Sequence, residues 1–523
     1  MNAKPDASGN GYIMGWCYNS DTNYFYGTNG TFPIFERGDY VVKYDALGNI
    51  KFITGGWGTN IETRDMSIDK NSNIFLTGDF GGTAHFGIGT DTLQRTAFPS
   101  GLEYFFVKLD SNGKAMFFQK DGENCSNPGM TATVVSTNDI IVNWIDVTYC
   151  NFGSVDTSYM IKFDNNGNIV WSLPPPTVQY GNVGFYPEQV APTKDAGFLL
   201  SGYWFSYPLT FHGLSNSISL NPSTSYNGDP DYFLAKYSLS GNVLWAKAIR
   251  GKDMQGYQAI TVDSSNNILI AMMSYDTCYF DNTALLPLSD RTLHIIKTDA
   301  LGNLINYISF PEPFQAATPG YFSLKDLKTD KNGNIYLLGI PDSVITIGSS
   351  TIHFSNYHPL AIIKLDANFN YEWSQYAYQS NMYGSWGGSL AITDSLVYVG
   401  VMYNTPVFLN GSSFQFPPPL NSTTYDSFFA CIKNGSVSTA VEEITKAEIN
   451  IYPNPSLGIF TVDLRNCRDA KICVYDVLGN CLLEKSCKGE TSQEINLSSQ
   501  PRGIYFVELL SGEERVVRKV AVQ

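Results

Sequence analysis

DYFLAKYSLSGNVLW (residues 231–245) reads as an aromatic and aliphatic strand ending in lysine, a polar turn closed by Gly-Asn, and a second strand ending in tryptophan. The same phrase returns as DYVVKYDALGNIKF (39–52), EYFFVKLDSNGKAMF (103–117), SYMIKFDNNGNIVW (158–171), LHIIKTDALGNLIN (293–306) and LAIIKLDANFNYEW (360–373). A shortened copy is DSFFACIKNG (426–435). Its lysines, Lys43, Lys108, Lys162, Lys236, Lys297, Lys364 and Lys433, are on average 65 residues apart. That period, with four short strands per unit, means a propeller or a stacked array.

A second half-repeat lies between these copies: DASGNGYIMGW (6–16), DKNSNIFLTGDF (69–80), STNDIIVNW (136–144), TKDAGFLLSGYW (193–204), DSSNNILIAMM (263–273), DKNGNIYLLGI (330–340) and ITDSLVYVGVM (392–402). Each is a polar turn followed by a strand, the pattern of hairpins. The halves alternate strictly, so residues 1–435 are expected to form an all-β, seven-bladed ring whose closure protects strand edges. The first unit has only a stub before its polar turn, which predicts a missing leading strand and a chain that was processed or truncated. The seventh ends without a G-N-x-x-W strand, which predicts a weakened seam between units seven and one.

Composition agrees with a packed β protein: 43% of the 523 residues are hydrophobic and 15% charged, with 33 Tyr, 32 Phe and 46 Gly. Such a chain has too much to bury to be disordered. No stretch approaches the roughly 18 apolar residues of a membrane span, so no transmembrane segment is expected. The net charge is −15, and residues 1–447 hold 24 Lys+Arg against 38 Asp+Glu. That balance argues against nucleic acid, whose phosphates call for basic clusters. The nine cysteines form no C-x-x-C pair and only five histidines accompany them, so a structural zinc is not expected.

After Gly435 the repeat stops. SVSTAVEEITKA (436–447) is a small polar connector, and residues 448–523 follow as alternating segments parted by Gly, Pro and Asn turns, the pattern of a small β-sandwich. The tail carries Y-P-N-P-x-x-G-x-F (452–460), V-Y-D-x-x-G (474–479), L-x-x-x-x-x-G-I-Y-F-V (497–507) and a terminal R-K-V-A-V (518–522), in that order. In these motifs it resembles the type A C-terminal sorting domain of the type IX secretion system of Bacteroidetes. The resemblance implies an immunoglobulin-like sandwich that directs export through the periplasm to the cell surface or beyond, with the secretion machinery as partner. It makes Pro453, Asn454, Pro455, Gly458, Gly479, Gly503, Arg518, Lys519 and Val520 the sorting-signal residues. Pro453, Pro455 and Gly458 read as a rigid turn, and Gly479 and Gly503 as positions needing unusual φ. A tight turn over 476–479 sets Tyr475 opposite Asn480, which predicts a Cys467–Cys487 bridge at the far end of that hairpin. The repeat region resembles the seven-bladed propeller repeats of many exported Bacteroidetes proteins, of the kind D-x-F-x-x-K-x-D-x-x-G-N-x-x-W, a match that specifies fold far better than function.

The chemistry-bearing residues have structural readings beside functional ones. Trp171, Trp245 and Trp373, with Phe52 and Phe117 at the same place, would serve as sugar platforms or as wedges between units; recurrence in register favours the wedge. The lysines recur equally and are expected to join neighbouring repeats. Asp330-x-Asn332-x-Asn334 and Asp69-x-Asn71-x-Asn73 mimic the start of a calcium loop but lack the distal bidentate acid, and Asp and Asn are also what β-turns want. No cofactor is expected beyond this calcium alternative. His85, His212, His294, His353 and His358 form no metal-spaced set, and no nucleophile elbow, P-loop or H-E-x-x-H is present. No catalytic residue is therefore assigned. The irregular segments 206–230 and 404–426, rich in Ser, Asn, Pro and aromatics, are expected on one rim as recognition loops. The sequence thus points to an exported or surface module binding glycan or protein. The alternative is a secreted polysaccharide- or peptide-degrading enzyme with its acids spread over several blades.

Overall fold

The computed structural model describes residues 2–6, 8–17, 23–34, 38–58, 60–88, 91–97, 102–121, 130–134, 139–144, 160–174, 176–178, 185–205, 207–222, 230–251, 259–288, 292–311, 323–340, 344–353, 360–379, 385–393, 396–403, 407–409, 415–416, 426–433, 451–464, 469–476, 481–511 and 514–523. The regular elements among them are all β-strands. None is a helix long and apolar enough to cross a membrane. The chain divides into two compact units, Met1–Gly435 and Ser436–Gln523.

In the first unit seven antiparallel sheets follow one another. Their first strands are Asn2–Pro5, Ile61–Ile68, Met130–Val134, Phe185–Pro192, Ala259–Val262, Ser323–Thr329 and Ser385–Ile392. Each pairs with the second strand across the polar turn, the second pairs with the lysine strand, and in the first six sheets the lysine strand pairs with the strand that bears the tryptophan or the residue in its place. The first strands lie side by side in chain order, and Ser385–Ile392 returns to touch Asn2–Pro5. Apolar clusters fill the spaces between successive sheets. Ile61, Leu76, Phe86 and Phe105 pack with Tyr12 and Val41, for example, and Tyr336, Leu338 and Trp373 with Val397 and Val399. Between the seventh and first sheets the described cluster is only Ala3, Ala391 and Tyr398, with Leu396 against it. The Tyr398 hydroxyl crosses that seam to donate to the Gly9 carbonyl.

Two expectations are corrected here. The first repeat does have a leading strand: Asn2–Pro5 pairs with Gly11–Met14. In the seventh sheet Lys433 lies opposite Leu396, while Cys431 lies opposite Tyr398. In the first and sixth sheets the residues facing Tyr12 and Tyr336 are Lys43 and Lys364, so it is Cys431 that occupies the lysine register. The described residues of this sheet make three strands, Ser385–Ile392, Leu396–Tyr403 and Asp426–Lys433.

Among the described residues a hairpin stands between the second and third strands of six sheets, and three of these hairpins extend the preceding sheet. Thr83–Ile88 of the second repeat adds to Ile50–Gly58 of the first; Cys278–Phe280 adds to Val243–Gly251, and Val407–Leu409 to Tyr371–Gln379. Each of these three sheets so reaches six strands. The segments expected as recognition loops belong to this device. Within 206–230 the described residues include strands Leu209–His212 and Ser217–Leu220, whose Leu209, Phe211 and Leu220 are buried in the core between the third and fourth sheets. Within 404–426 they include Val407–Leu409 and Gln415–Phe416. An outer strand left bare would invite foreign pairing, and the neighbour's hairpin covers it.

The second unit is two antiparallel sheets around one core. Ile451–Tyr452, Ile459–Asp463 and Ser492–Asn496 form the first; Cys481–Lys488, Asp469–Tyr475, Gly503–Ser511 and Glu514–Val522 form the second. Phe460, Val462, Ile472, Val474, Ile495, Val507 and Val520 meet between them. The hairpin register differs from the expected one: Tyr475 pairs with Cys481 rather than Asn480, and the register shifts between Val474 and Tyr475. The extra residue turns Cys487 toward Ala470, with its thiol 3.9 Å from Gln493 Oε1. Cys467, and with it the proposed bridge, lies outside the described residues, as do Gly479 and the connector 436–447.

Candidate functional site

Two of the tail motifs, Y-P-N-P-x-x-G and R-K-V-A-V, far apart in sequence, meet within the second unit. The peptide bonds before Pro453 and Pro455 are cis. Asn454 lies against the terminal strand: its Nδ2 donates to the Lys519 carbonyl (2.8 Å), and its Oδ1 accepts from the Ala521 amide (3.0 Å). Ser456 then runs parallel to the strand, its amide donating to Ala521 O (2.8 Å) and its carbonyl accepting from the Gln523 amide (2.9 Å). Gly458 has φ +99°, and a Cβ there would stand 2.7 Å from Ser498 Cα, so glycine is required by conformation and by space. Val520 is fully buried in the core, whereas Lys519 is exposed and Arg518 half-buried. The Y-P-N-P-x-x-G turn and the R-K-V-A-V strand are thus two sides of one clamp. Gly503 does not need unusual φ: it has no positive φ, and a Cβ would meet nothing within 4 Å. It begins the strand that pairs with Val522 and places Tyr505 to donate its hydroxyl to the Pro501 carbonyl.

In the ring, the repeat residues form links between units. Trp171 Nε1 (3.0 Å) and Lys162 Nζ (3.2 Å) donate to the Leu239 carbonyl in the next unit's turn. Trp245 Nε1 (3.3 Å) and Lys236 Nζ (3.0 Å) do the same to Ala300. Lys108 reaches Asn165 O at 3.0 Å. The lysines also pair with an acid of their own unit's first turn, Lys43 with Asp6 (3.3 Å), Lys162 with Asp139 (3.0 Å), Lys236 with Asp195 (2.6 Å) and Lys297 with Asp263 (3.3 Å). The turns read as calcium mimics use their carboxylates internally. Asp330 accepts from the amides of Asn332 (2.9 Å) and Asn334 (3.0 Å), from Asn334 Nδ2 (2.8 Å) and from the Tyr336 hydroxyl (3.0 Å). Asp69 holds Asn71 and Asn73 likewise.

The described histidines stand apart. His85 stacks on Trp57, and His212 Nε2 meets Thr177 Oγ1 at 2.9 Å. His353 is exposed on a hairpin, and His358 lies outside the described residues. His294 is buried between Ser274 Oγ and Ser309 Oγ, both at 2.8 Å, and burial pushes its imidazole down to about 4.

The ends of the first strands remote from the polar turns carry side chains the sequence reading missed. In the second sheet Arg64 bridges Glu62 (2.8 Å) and Asp79 (2.9 Å). Nearby, buried Asp39 accepts the Thr63 amide; desolvation, with the charges of Glu62 and Asp79, pushes its carboxyl up to about 7 despite that bond. In the fourth sheet Tyr186 and Tyr203 face each other across the strands, their rings stacked at 4.9 Å, with Phe205 edge-on to both. Burial raises the Tyr203 phenol, and the neighbouring Glu188 and Tyr186 add to it. The available signal was the crowding of aromatics in GYWF (202–205) and FY (185–186).

Residues 450–523 match the family described as a secretion system C-terminal sorting domain. The protein is therefore an exported one, handled by the type IX secretion system and destined for the cell surface or the extracellular space. An endo-acting ulvan lyase of Formosa agariphila is 29% identical over 83 residues, 16% of this chain and 16% of the lyase. An uncharacterized WD repeat-containing protein of Acanthamoeba polyphaga mimivirus is 20% identical over 378 residues, 61% of this chain and 26% of that protein. The chain thus spans 16% and 26% of the length of these two relatives. A protein of unknown function from Bacteroides caccae, 10% identical, superposes with a TM-score of 0.33 over 64% of this chain and 89% of its own, too loosely to carry an argument.

Proposed function

We propose that residues 1–435 form a seven-bladed β-propeller that serves outside the cell as a recognition or scaffold module for glycan or protein. On this reading 436–447 is the connector and 448–523 an immunoglobulin-like sorting sandwich. One observation carries the binding reading. The side chains that hold the ring together recur from sheet to sheet, whereas those at the ends of the first strands differ between sheets. A rim of varied chemistry on a uniform scaffold is how binding surfaces are generally built. The enzyme alternative rests on the Glu62–Arg64–Asp79 group and on Asp39, a carboxyl poised near neutrality. The purified chain should be offered a panel of polysaccharides and peptides, with bound material and released products measured together. Retention without products supports the module. Products that vanish in Asp39→Asn, with the fold intact, give the assignment to the enzyme.

A further inference from the structure

We propose that the secretion machinery reads the tail through one outward row of side chains, Tyr475, Phe506 and Lys519 with Ile504 beside it, and that the buried motif residues and the Asn454 clamp hold this row in place. This rests on the reading of residues 448–523 as a sorting domain. Alternation along the strands divides each motif in two, because successive side chains of a strand face opposite ways. Val474, Tyr505, Val507, Val520 and Val522 point into the core between the tail's two sheets. The residues between them therefore point outward. Tyr475 pairs with Phe506, Phe506 with Lys519, and Ile504 with Ala521. Residues directly opposite one another share a face. Three motifs far apart in sequence, V-Y-D-x-x-G, G-I-Y-F-V and R-K-V-A-V, so place side chains in one patch on the tail's four-stranded sheet.

A partner can touch only what stands at the surface. The inward motif residues are buried, so they shape the fold and cannot themselves be read. Phe506 is 37% exposed and Ile504 40%, and Lys519 is exposed. The core gives no reason for two large apolar side chains on that face, where water disfavours them. On the adjoining strand the outward residues opposite Cys473 and Lys471 are Glu484 and Ser486, both polar and exposed. On the three-stranded sheet Ser492, Glu494 and Asn496 are polar and exposed likewise. Tyr475 is held in the row by its hydroxyl, which donates to Glu508 Oε2 at 2.7 Å. Tyr452 and Ile459 are exposed on the other sheet, but both belong to the single Y-P-N-P-x-x-G-x-F motif.

The family match of residues 450–523 gives this unit its partner, the secretion machinery. The row's chemistry defines what that partner presents. Phe506 and Ile504 call for an apolar pocket, since buried aromatic anchors carry much of the energy of protein interfaces. Lys519, at the end of the row, calls for a carboxylate at the pocket's rim, where opposite charge sets register and excludes wrong partners. The clamp serves the same end. Asn454 bonds the Lys519 carbonyl and the Ala521 amide, so it fixes the strand on which Lys519 stands.

The test is surface delivery of the full chain, behind a signal peptide, in a Bacteroidetes host, with thermal melts of each purified variant beside it. Threonine suits a strand and removes the apolar bulk. Ile504→Thr/Phe506→Thr together should lower delivery about tenfold with the melt unchanged, and Phe506→Leu should be delivered like the parent. Lys519→Glu should lower delivery severalfold, and Lys519→Arg should not. Tyr452→Thr/Ile459→Thr should be delivered normally. Should the threonine pair melt early, Lys519→Glu, at an exposed position, decides. Normal delivery of both the threonine pair and Lys519→Glu, with a tail-less form retained in the periplasm, overturns the row and leaves the sorting reading standing. So does a loss confined to the Tyr452/Ile459 pair. Parental binding to phosphatidylethanolamine vesicles that Phe506→Thr abolishes gives the row to a lipid surface and overturns a protein partner. A tail-less form delivered like the intact chain overturns the sorting reading itself.

Discussion

At the scale of single residues, two glycines of the sorting motif separate. Gly458→Ala forces an L side chain into φ +99° and against Ser498. The tail should lose about 1–3 kcal/mol, the usual cost of a non-glycine residue held in such a conformation. Gly503→Ala places its methyl in open space and should shift the thermal transition little. Equal losses in the two, read in melts of the full chain, contradict the clamp geometry. Asp39 gives a pH-dependent case. Its unfolded carboxyl titrates near 3.8 and its folded one at about 7. Between those values the folded state holds a proton the unfolded state has shed. Its own contribution to stability is therefore greatest below about 4, falls as the pH rises, and stays reduced above 7. Asp39→Asn keeps an oxygen to accept the Thr63 amide and removes the charge. Its melting temperature should exceed the parent's at pH 8 and converge on it near pH 4; a parent that melts higher at pH 8 contradicts the burial argument.

At the scale of elements, the unit-to-unit links predict a graded series. Trp245→Phe leaves the ring in place but removes one of two donors to the Ala300 carbonyl, and should cost about 1 kcal/mol. In Trp373 the indole nitrogen is buried and finds no acceptor among the described residues. Trp373→Phe should therefore be neutral or slightly stabilising. A larger loss at 373 than at 245, measured by denaturant midpoints, refutes this ranking. The same elements show what the sequence could reveal. The lysine strand and its Gly-Asn turn were legible because they recur at fixed spacing, and the wedge role of Trp171 and Trp245 followed from that recurrence. Lys433 misled because a lysine can sit two residues out of register without altering the apparent phrase; only the pairing of Cys431 with Tyr398 exposes the shift. The hairpins were misread as loops because they pair with segments of the preceding repeat, Leu209–His212 with Thr177–Val178 and Val407–Leu409 with Tyr371–Gln379, contacts no local pattern encodes. Gly503 misled because sequence cannot tell a glycine that needs its φ from one that begins a strand. The Tyr186–Tyr203 pair was passed over because its register rests on the shift between Pro187 and Gln189, which no local pattern announces.

At the scale of the whole molecule, the chain joins a ring whose cores lie between its own sheets to a tail with its own core of Phe460, Val462, Ile472, Val507 and Val520. Each unit buries enough apolar surface to fold alone. Removing 436–523 should therefore leave the ring's melting transition nearly unchanged. Delivery should respond oppositely if the clamp is the sorting signal we propose: the Y-P-N-P turn is held by the terminal strand through Asn454 and Ser456. Asn454→Ala removes two of those bonds, at about 1 kcal/mol each. The tail should still fold, and export should drop in part rather than vanish. Fractionation of a Bacteroidetes host expressing the intact, Asn454→Ala and tail-less forms, each behind a signal peptide, reads all three. The intact protein should reach the surface or medium, the point variant should divide between periplasm and surface, and the tail-less ring should stay folded in the periplasm. A tail-less ring that reaches the surface as well as the intact chain removes the tail's sorting role without touching the ring. A tail-less ring that is unfolded or degraded in the periplasm shows instead that the two units depend on each other for stability.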